Sequence, residues 1–237
     1  MLPGVYARIS PIGGRKDYLM LKVVVFDSGY GGELFADYLE EELPILEVIR
    51  VIDWRNANQI LKSPKFARGA AEKALQPYIN KVDLIVFANY LLSLTSLKYF
   101  CRKYKSQPFV GLKLNNTKIV NKPTLILATK SLTKTFNYYW FSRQIQAKTI
   151  ILDDWPTLID DGELTGHKIR RDLRTYLSQN NGFAPEQIVL GCSQFVDLKS
   201  EFIKFFGHNT KIIDGFESAL RETCQTLKLR GALKKIK

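Results

Sequence analysis

The chain has 237 residues, 46% of them hydrophobic, and 35 Lys and Arg against 23 Asp and Glu give it a net charge of +12. That size and apolar content suit one large or two small folded units and exclude a disordered chain, and no apolar run reaches the ~18 residues of a transmembrane helix. Cys101, Cys192 and Cys224 have no CxxC spacing, which excludes a disulfide framework and a zinc site and points to a reducing, cytoplasmic compartment.

Residues 1–20 carry charges and Pro/Gly punctuation without a continuous apolar stretch, so an N-terminal extension is expected here and not a secretory signal. Residues 22–26 are a short β-branched run, expected as a buried strand ending at Asp27-Ser28. Gly29, Gly31 and Gly32 then make a tight turn, and residues 34–42 have helical periodicity. Further strands are expected at 48–52, 83–88 and 109–112, and further helices at 66–79 and 95–104. Beyond residue 111 the theme returns. Strands are expected at 124–128, 149–152, 187–190 and 211–213, and helices at 133–144, 168–179, 201–206 and 215–227. Strands alternating with helices imply an α/β fold with parallel sheets and helices on both faces.

The chain also repeats itself. Val24-Val25-Phe26-Asp27-Ser28 overlays on Leu125-Ile126-Leu127-Ala128-Thr129. Leu84-Ile85-Val86-Phe87-Ala88-Asn89 overlays on Ile188-Val189-Leu190-Gly191-Cys192-Ser193, which sets Ala88 on Cys192. The reading is two pseudo-symmetric, flavodoxin-like α/β subdomains. Residues 21–110 plus 214–237 form the first and 111–213 the second.

Ligands of parallel sheets sit outside the carboxyl ends of the strands. Asp27, Ser28, Asp53, Asn89, Thr129, Cys192 and Ser193 all fall at such ends. Cys192 is the prime candidate, because a thiol at a helix N-terminus is expected to have a lowered pKa. The glycine-rich turn after Asp27 could bind an anion through its N–H groups, with Ser28 adding a hydroxyl. Its spacing fits neither a P-loop nor a GxGxxG turn. Asn89 and Thr129 could hydrogen-bond a carboxylate or an amine. Asp27 and Asp160 could neutralise an ammonium or tune the thiol. Cys101 and Cys224 fall within helical patterns and read as structural, and His167 and His208 as surface residues; no metal site is expected. The basic residues are dispersed, densest at 228–237, and no nucleic-acid-binding motif accompanies them. A nucleic-acid or membrane partner is therefore not expected, while a positive field suits an anionic small molecule. Pairing into a homodimer is left open.

These residues resemble the cofactor-independent aspartate/glutamate racemase family. Val25-Phe26-Asp27-Ser28-Gly29-Tyr30-Gly31-Gly32 is similar to its VFDSGxGG signature. Leu190-Gly191-Cys192-Ser193-Gln194-Phe195 falls where the family has Leu-Gly-Cys-Thr-His-Tyr, and Phe87-Ala88-Asn89-Tyr90 where it has Ala-Cys-Asn-Thr. Ala128-Thr129, Asp160-Asp161-Gly162 and Ile213-Asp214 match weaker landmarks in order. The resemblance spans residues 21–227 and implies proton transfer at Cα between two thiols, with no cofactor. It further implies that Cys192 is catalytic, that Asp27, Ser28, Asn89, Thr129 and Ser193 bind substrate, and that Asp160 and Gln194 tune the thiol.

Departures from the pattern bear on the activity. Ala88 stands at the first cysteine, Gln194 at the histidine beside the second, Tyr90 at a threonine, Leu132 at a threonine after Thr129, and Asn58-Gln59-Ile60 at a Pro-Tyr-Gly stretch. A missing general acid or base costs on the order of 10²–10⁴-fold in rate. The expected function is therefore a racemase-like isomerase acting on a small amino or carboxylic acid through one cysteine, impaired as a true racemase. The alternatives are a one-cysteine decarboxylase or other lyase, and a non-catalytic binding protein on the same scaffold.

Overall fold

Strands form where β-branched and aliphatic residues run together without alternation. Val23, Val24, Val25 and Phe26 are all fully buried, so their strand is covered on both faces, as a parallel sheet requires. The computed structural model describes residues 20–60, 63–114, 122–145, 147–179 and 182–229. The expected N-terminal extension, apart from Met20, and the basic run beyond Leu229 lie outside these residues.

The first half comprises β1 (Leu21–Asp27), α1 (Tyr30–Glu42), β2 (Leu46–Ile52), α2 (Ala57–Ile60), α3 (Pro64–Leu75), β3 (Leu84–Phe87), α4 (Tyr90–Lys103) and β4 (Phe109–Gly111). The second comprises β5 (Thr124–Ala128), α5 (Lys130–Thr133), α6 (Phe136–Gln144), β6 (Lys148–Ile151), α7 (Trp155–Asp160), α8 (Gly166–Gln179), β7 (Gln187–Leu190), α9 (Lys199–Phe206) and β8 (Lys211–Ile213). The helix α10 (Phe216–Thr226) packs back against β3 and β4. Short 3-10 turns lie at Trp54–Asn56 and Ser193–Leu198.

Each half holds one four-stranded parallel sheet, in the orders β2-β1-β3-β4 and β6-β5-β7-β8. The same order twice is the duplication seen in the sequence. The ladders correct one detail of it. Phe26 pairs with Phe87, and Leu127 with Leu190. Ala88 N–H donates to the Phe26 carbonyl, and Gly191 N–H to that of Leu127. With Phe26 on Leu127, the counterpart of Ala88 is Gly191, and that of Cys192 is Asn89. The overlay of Ala88 on Cys192 is thus one residue out of register. Such a slip turns a side chain to the opposite face. Ala88 continues the face of Leu84 and Val86, in a core that both halves share. Cys192 continues the face of Ile188 and Leu190, in the second half's own core.

The helix α4 begins at Tyr90, five residues before the expected start. Asn89 caps it, its Oδ1 accepting the Leu92 N–H at 2.9 Å. Its first turn, Tyr90-Leu91-Leu92-Ser93, is buried throughout, so the polar side that signals a helix is missing there. The helix expected at 133–144 is two helices instead. Thr129 caps α5 and Thr135 caps α6, each accepting an N–H three residues on. The sequence reading also missed α7. Its Trp155 is fully buried, lies parallel to Phe202 (centroids 6.3 Å apart) and donates its Nε1–H to Asp172 at 3.1 Å. That anchor places Asp160, one helical turn and a half further on, between the halves.

Candidate active site

The two halves meet at the carboxyl ends of β1, β3, β5 and β7. Two polar contacts join them there. Ser193 Oγ donates to Asp27 Oδ2 at 3.0 Å, and the Tyr30 N–H donates to Asp160 Oδ1 at 2.9 Å. The glycine-rich turn is what allows this approach. A Cβ on Gly31 would sit 2.1 Å from Ser193 Oγ, and one on Gly29 2.8 Å from the Asp160 carboxylate. The turn therefore does offer an N–H to an anion, as its composition suggested, but the anion is the protein's own Asp160.

Asp27 is 2% exposed and fully engaged. Its Oδ1 accepts the Ser28 N–H at 2.6 Å and Asn89 Nδ2–H at 2.8 Å, while Oδ2 accepts from Ser193. Burial raises its pKa from 3.8 to about 7, and the hydrogen bonds from Asn89, Ser28 and Ser193 restrain the rise. Burial likewise raises Asp160, against the Tyr30 N–H and Gln194, which lower it.

The Cys192 thiol donates to Gln194 Oε1 at 3.0 Å. Gln194 Nε2 donates in turn to Asp160 Oδ1 at 2.8 Å and to the Pro156 carbonyl at 3.3 Å. The expected depression of the Cys192 pKa does not occur. Burial pushes it up to about 12, and the Asp27 and Asp160 carboxylates push the same way. The Gln194 N–H, a larger influence than either carboxylate, and the Phe195 N–H oppose this. The helix that Cys192 precedes is a six-residue 3-10 turn, too short to set a strong dipole against the loss of water.

Ser28, Asn89, Thr129, Asp160, Cys192 and Ser193 line one cavity together with Gln194. Asp27 lies behind it as the hub of the hydrogen bonds. The sequence-derived candidates from both halves therefore converge. Ala88 does not belong to the wall: it is fully buried, and Asn89, Tyr90 and Leu91 line the cavity in its place. Asp53, another strand-end acid, instead accepts from Asn56 Nδ2 at 2.9 Å. Cys101 lies near the far end of α4, about 16 Å from its start at 1.5 Å per residue. His167 and His208 are exposed. Among the described residues, no group of three or more His, Cys, Asp or Glu side chains is placed to hold a metal ion, and no helix is long and apolar enough to cross a membrane.

The cavity is small. Its volume of about 20 Å³ suits a single water. Tyr90 and Leu132, 3% and 1% exposed, fill the space beside it. The Tyr90 hydroxyl reaches the Gly215 N–H at the start of α10. The Tyr30 N–H, the Pro156 carbonyl and Gly215 were not singled out as site residues. Only Tyr30 had a signal, its place in the glycine-rich turn.

No family model matches the chain. The glutamate racemase of Bifidobacterium animalis subsp. lactis is 25% identical over 223 residues, which cover 89% of this chain and 86% of that one. Over nearly its whole length the chain is thus similar to glutamate racemases, members of the aspartate/glutamate racemase family. The racemase fold agrees. The Escherichia coli glutamate racemase solved with L-glutamate and the activator UDP-MurNAc-Ala superposes with a TM-score of 0.76 at 23% identity, covering 88% of this chain and 82% of that one. The Francisella tularensis glutamate racemase solved with D-glutamate gives 0.76 at 20% identity, covering 90% and 83%. The racemase signature at 25–32 is thus the segment that carries β1 into the turn between the halves, and Gly191-Cys192-Ser193 is its counterpart at the end of β7.

Proposed function

We propose that this racemase-like chain acts at Cα of a small amino or carboxylic acid held between its halves. Cys192 is its one acid–base group, serving one face of the substrate, with Ser28, Asn89, Thr129 and Ser193 as hydrogen-bonding partners. Relatives solved with L- and D-glutamate make an amino acid the first substrate class to test. The observation that carries the reading is the asymmetry of the cavity. One sulfur lines it, and the fully buried Ala88 methyl lies outside it. Inversion needs proton exchange on both faces, and a titratable side chain to replace the missing thiol is not supplied at position 88.

A second reading is favoured by the direction of the Cys192 hydrogen bond. A thiol that donates to Gln194 is set to deliver a proton. In a one-cysteine decarboxylase the C–C bond to a carboxylate breaks, CO₂ leaves, and the electron pair stays on Cα. The Cys192 proton then transfers to that carbon, and the resulting thiolate regains a proton from water.

One experiment tests both. The protein is incubated in D₂O with L- and D-aspartate, L- and D-glutamate and 2-substituted malonates, and Cα–H exchange and CO₂ loss are followed by NMR. Exchange in one enantiomer without inversion, lost in Cys192→Ala, is the expected result. Loss of CO₂ from a malonate selects the second reading. Interconversion of L- and D-glutamate above roughly 1 s⁻¹, the low end of ordinary enzymes, refutes the one-sided mechanism. Saturable binding with neither exchange nor CO₂ loss identifies a binding protein on this scaffold.

A further inference from the structure

The amide of Gln194 lies between the thiol and two acceptors. Its Nε2 meets Asp160 Oδ1 at 2.8 Å and the Pro156 carbonyl at 3.3 Å. An ionised carboxylate and a carbonyl only accept hydrogen bonds, so both require the NH₂ end of the amide. The amide oxygen is thereby turned to the sulfur, and a carboxamide oxygen takes no proton near neutral pH. At 3.0 Å it can only accept, and the sulfur must donate. The Tyr30 N–H fixes Asp160 from the other half at 2.9 Å, so the amide has little freedom to flip. The titratable groups around the sulfur are Asp27 from the end of β1, Asp160 from α7 and Tyr90 from the start of α4. None of them is cationic, so none of them favours a thiolate.

We infer that Gln194 is a positioning residue that locks the proton on Cys192, its oxygen held against the thiol by Asp160 and Pro156. The inference rests on the reading of Cys192 as the acid–base group and adds to it the form in which the group waits. The resting site holds a proton donor and not a base. Its favoured substrates are those whose carbanion arises without the thiol's help, and the Cα–H exchange expected of it is slow. A histidine in place of Gln194 would reverse this. Its ring nitrogen could take the proton from sulfur, and the neighbouring Asp160 carboxylate would stabilise the imidazolium.

The test needs no substrate, so a failure to find turnover leaves it intact. Alkylation of Cys192 by iodoacetamide is followed by peptide mass spectrometry from pH 6 to 11. Thiolate absorbance at 240 nm is read in parallel as wild type minus Cys192→Ala. The wild-type reaction is expected to keep rising through pH 10. Gln194→His is expected to move the midpoint down by at least one pH unit, about a tenfold gain in alkylation at pH 8. Gln194→Leu, which removes the acceptor but supplies no base, is expected to move it down by less than Gln194→His does. A wild-type midpoint near 8.5, the value of a free thiol, overturns the inference whatever the variants do. It is also overturned if folded Gln194→His keeps the wild-type profile. An equal downward shift in Gln194→Leu would show that loosened packing, and not the amide, sets the profile.

Discussion

Asp27→Asn gives the sharpest test of the charge buried between the halves. Asparagine can keep the whole arrangement. Its oxygen takes the place of Oδ1, accepting from the Ser28 N–H and from Asn89, and its NH₂ takes the place of Oδ2 and donates to Ser193 Oγ, which turns to accept. What disappears is the cost of ionising a carboxyl that is 2% exposed. The folded pKa of Asp27 is about 7, against the ordinary 3.8. Below 3.8 both the folded and the unfolded chain hold this proton, and the group adds no pH dependence. Between 3.8 and 7 the unfolded chain releases the proton and the folded chain keeps it, so stability falls as pH rises; above 7 the fall is complete. The full loss is about 4 kcal/mol, at ~1.4 kcal/mol for each pH unit separating the two values. The assay is urea unfolding of wild type and Asp27→Asn at pH 4 and pH 8. The variant is expected to match wild type at pH 4 and to exceed it by up to about 4 kcal/mol at pH 8. The difference between the two proteins isolates residue 27 from the other titrating groups. A difference that does not change with pH would refute the reasoning, since Asp27 would then ionise as it does in the unfolded chain.

Tyr90→Thr should enlarge the cavity and remove the contact with Gly215. A cost of about 3 kcal/mol is expected from the loss of a buried ring, together with a larger glutamate-dependent rise in melting temperature than wild type shows. A stability loss with no gain in glutamate binding would show that Tyr90 does not limit the ligand's size. Gly31→Ala should force Ser193 away from the turn, because no side chain tolerates a Cβ contact of 2.1 Å. A loss of about 3 kcal/mol or more in urea unfolding is expected, at the upper end of overpacking costs, and an unchanged midpoint would show that the halves separate freely at this point. Trp155→Phe should cost about 1–2 kcal/mol, since it shrinks a fully buried side chain and removes its hydrogen bond to Asp172, which keeps Lys168, with unfolding followed by circular dichroism; no change would mean that α7 is anchored elsewhere.

Hydrogen bonding at a particular pair of atoms is not written in residue type. Gln194 illustrates this. Its identity alone says only that a proton carrier is absent. That its oxygen meets sulfur follows from Asp160 and Pro156, 34 and 38 residues away in the chain. Cys192 shows the same limit with the opposite outcome. Its place before a helical segment argued for an easily ionised thiol. Burial is a property of the packed whole, however, and it outweighs the dipole of one short turn.

Much was nonetheless fixed by the order of residues. Runs such as Val23–Phe26 and Ile188–Leu190 are continuously apolar, as strands buried inside a sheet are. Their regular alternation with amphipathic segments leaves few arrangements besides a parallel α/β fold, and their repetition implies two equivalent sheets. Strand ends follow directly, and with them the identity of Asp27, Ser28, Asn89, Thr129, Cys192 and Ser193 as neighbours. Tertiary structure alone decided the one-residue difference between Ala88 and Cys192, the size of the space between the halves, and the protonation of the groups around it. Period and composition act over a few neighbouring residues. Register, cavity volume and solvent exclusion depend on atoms brought together from distant parts of the chain.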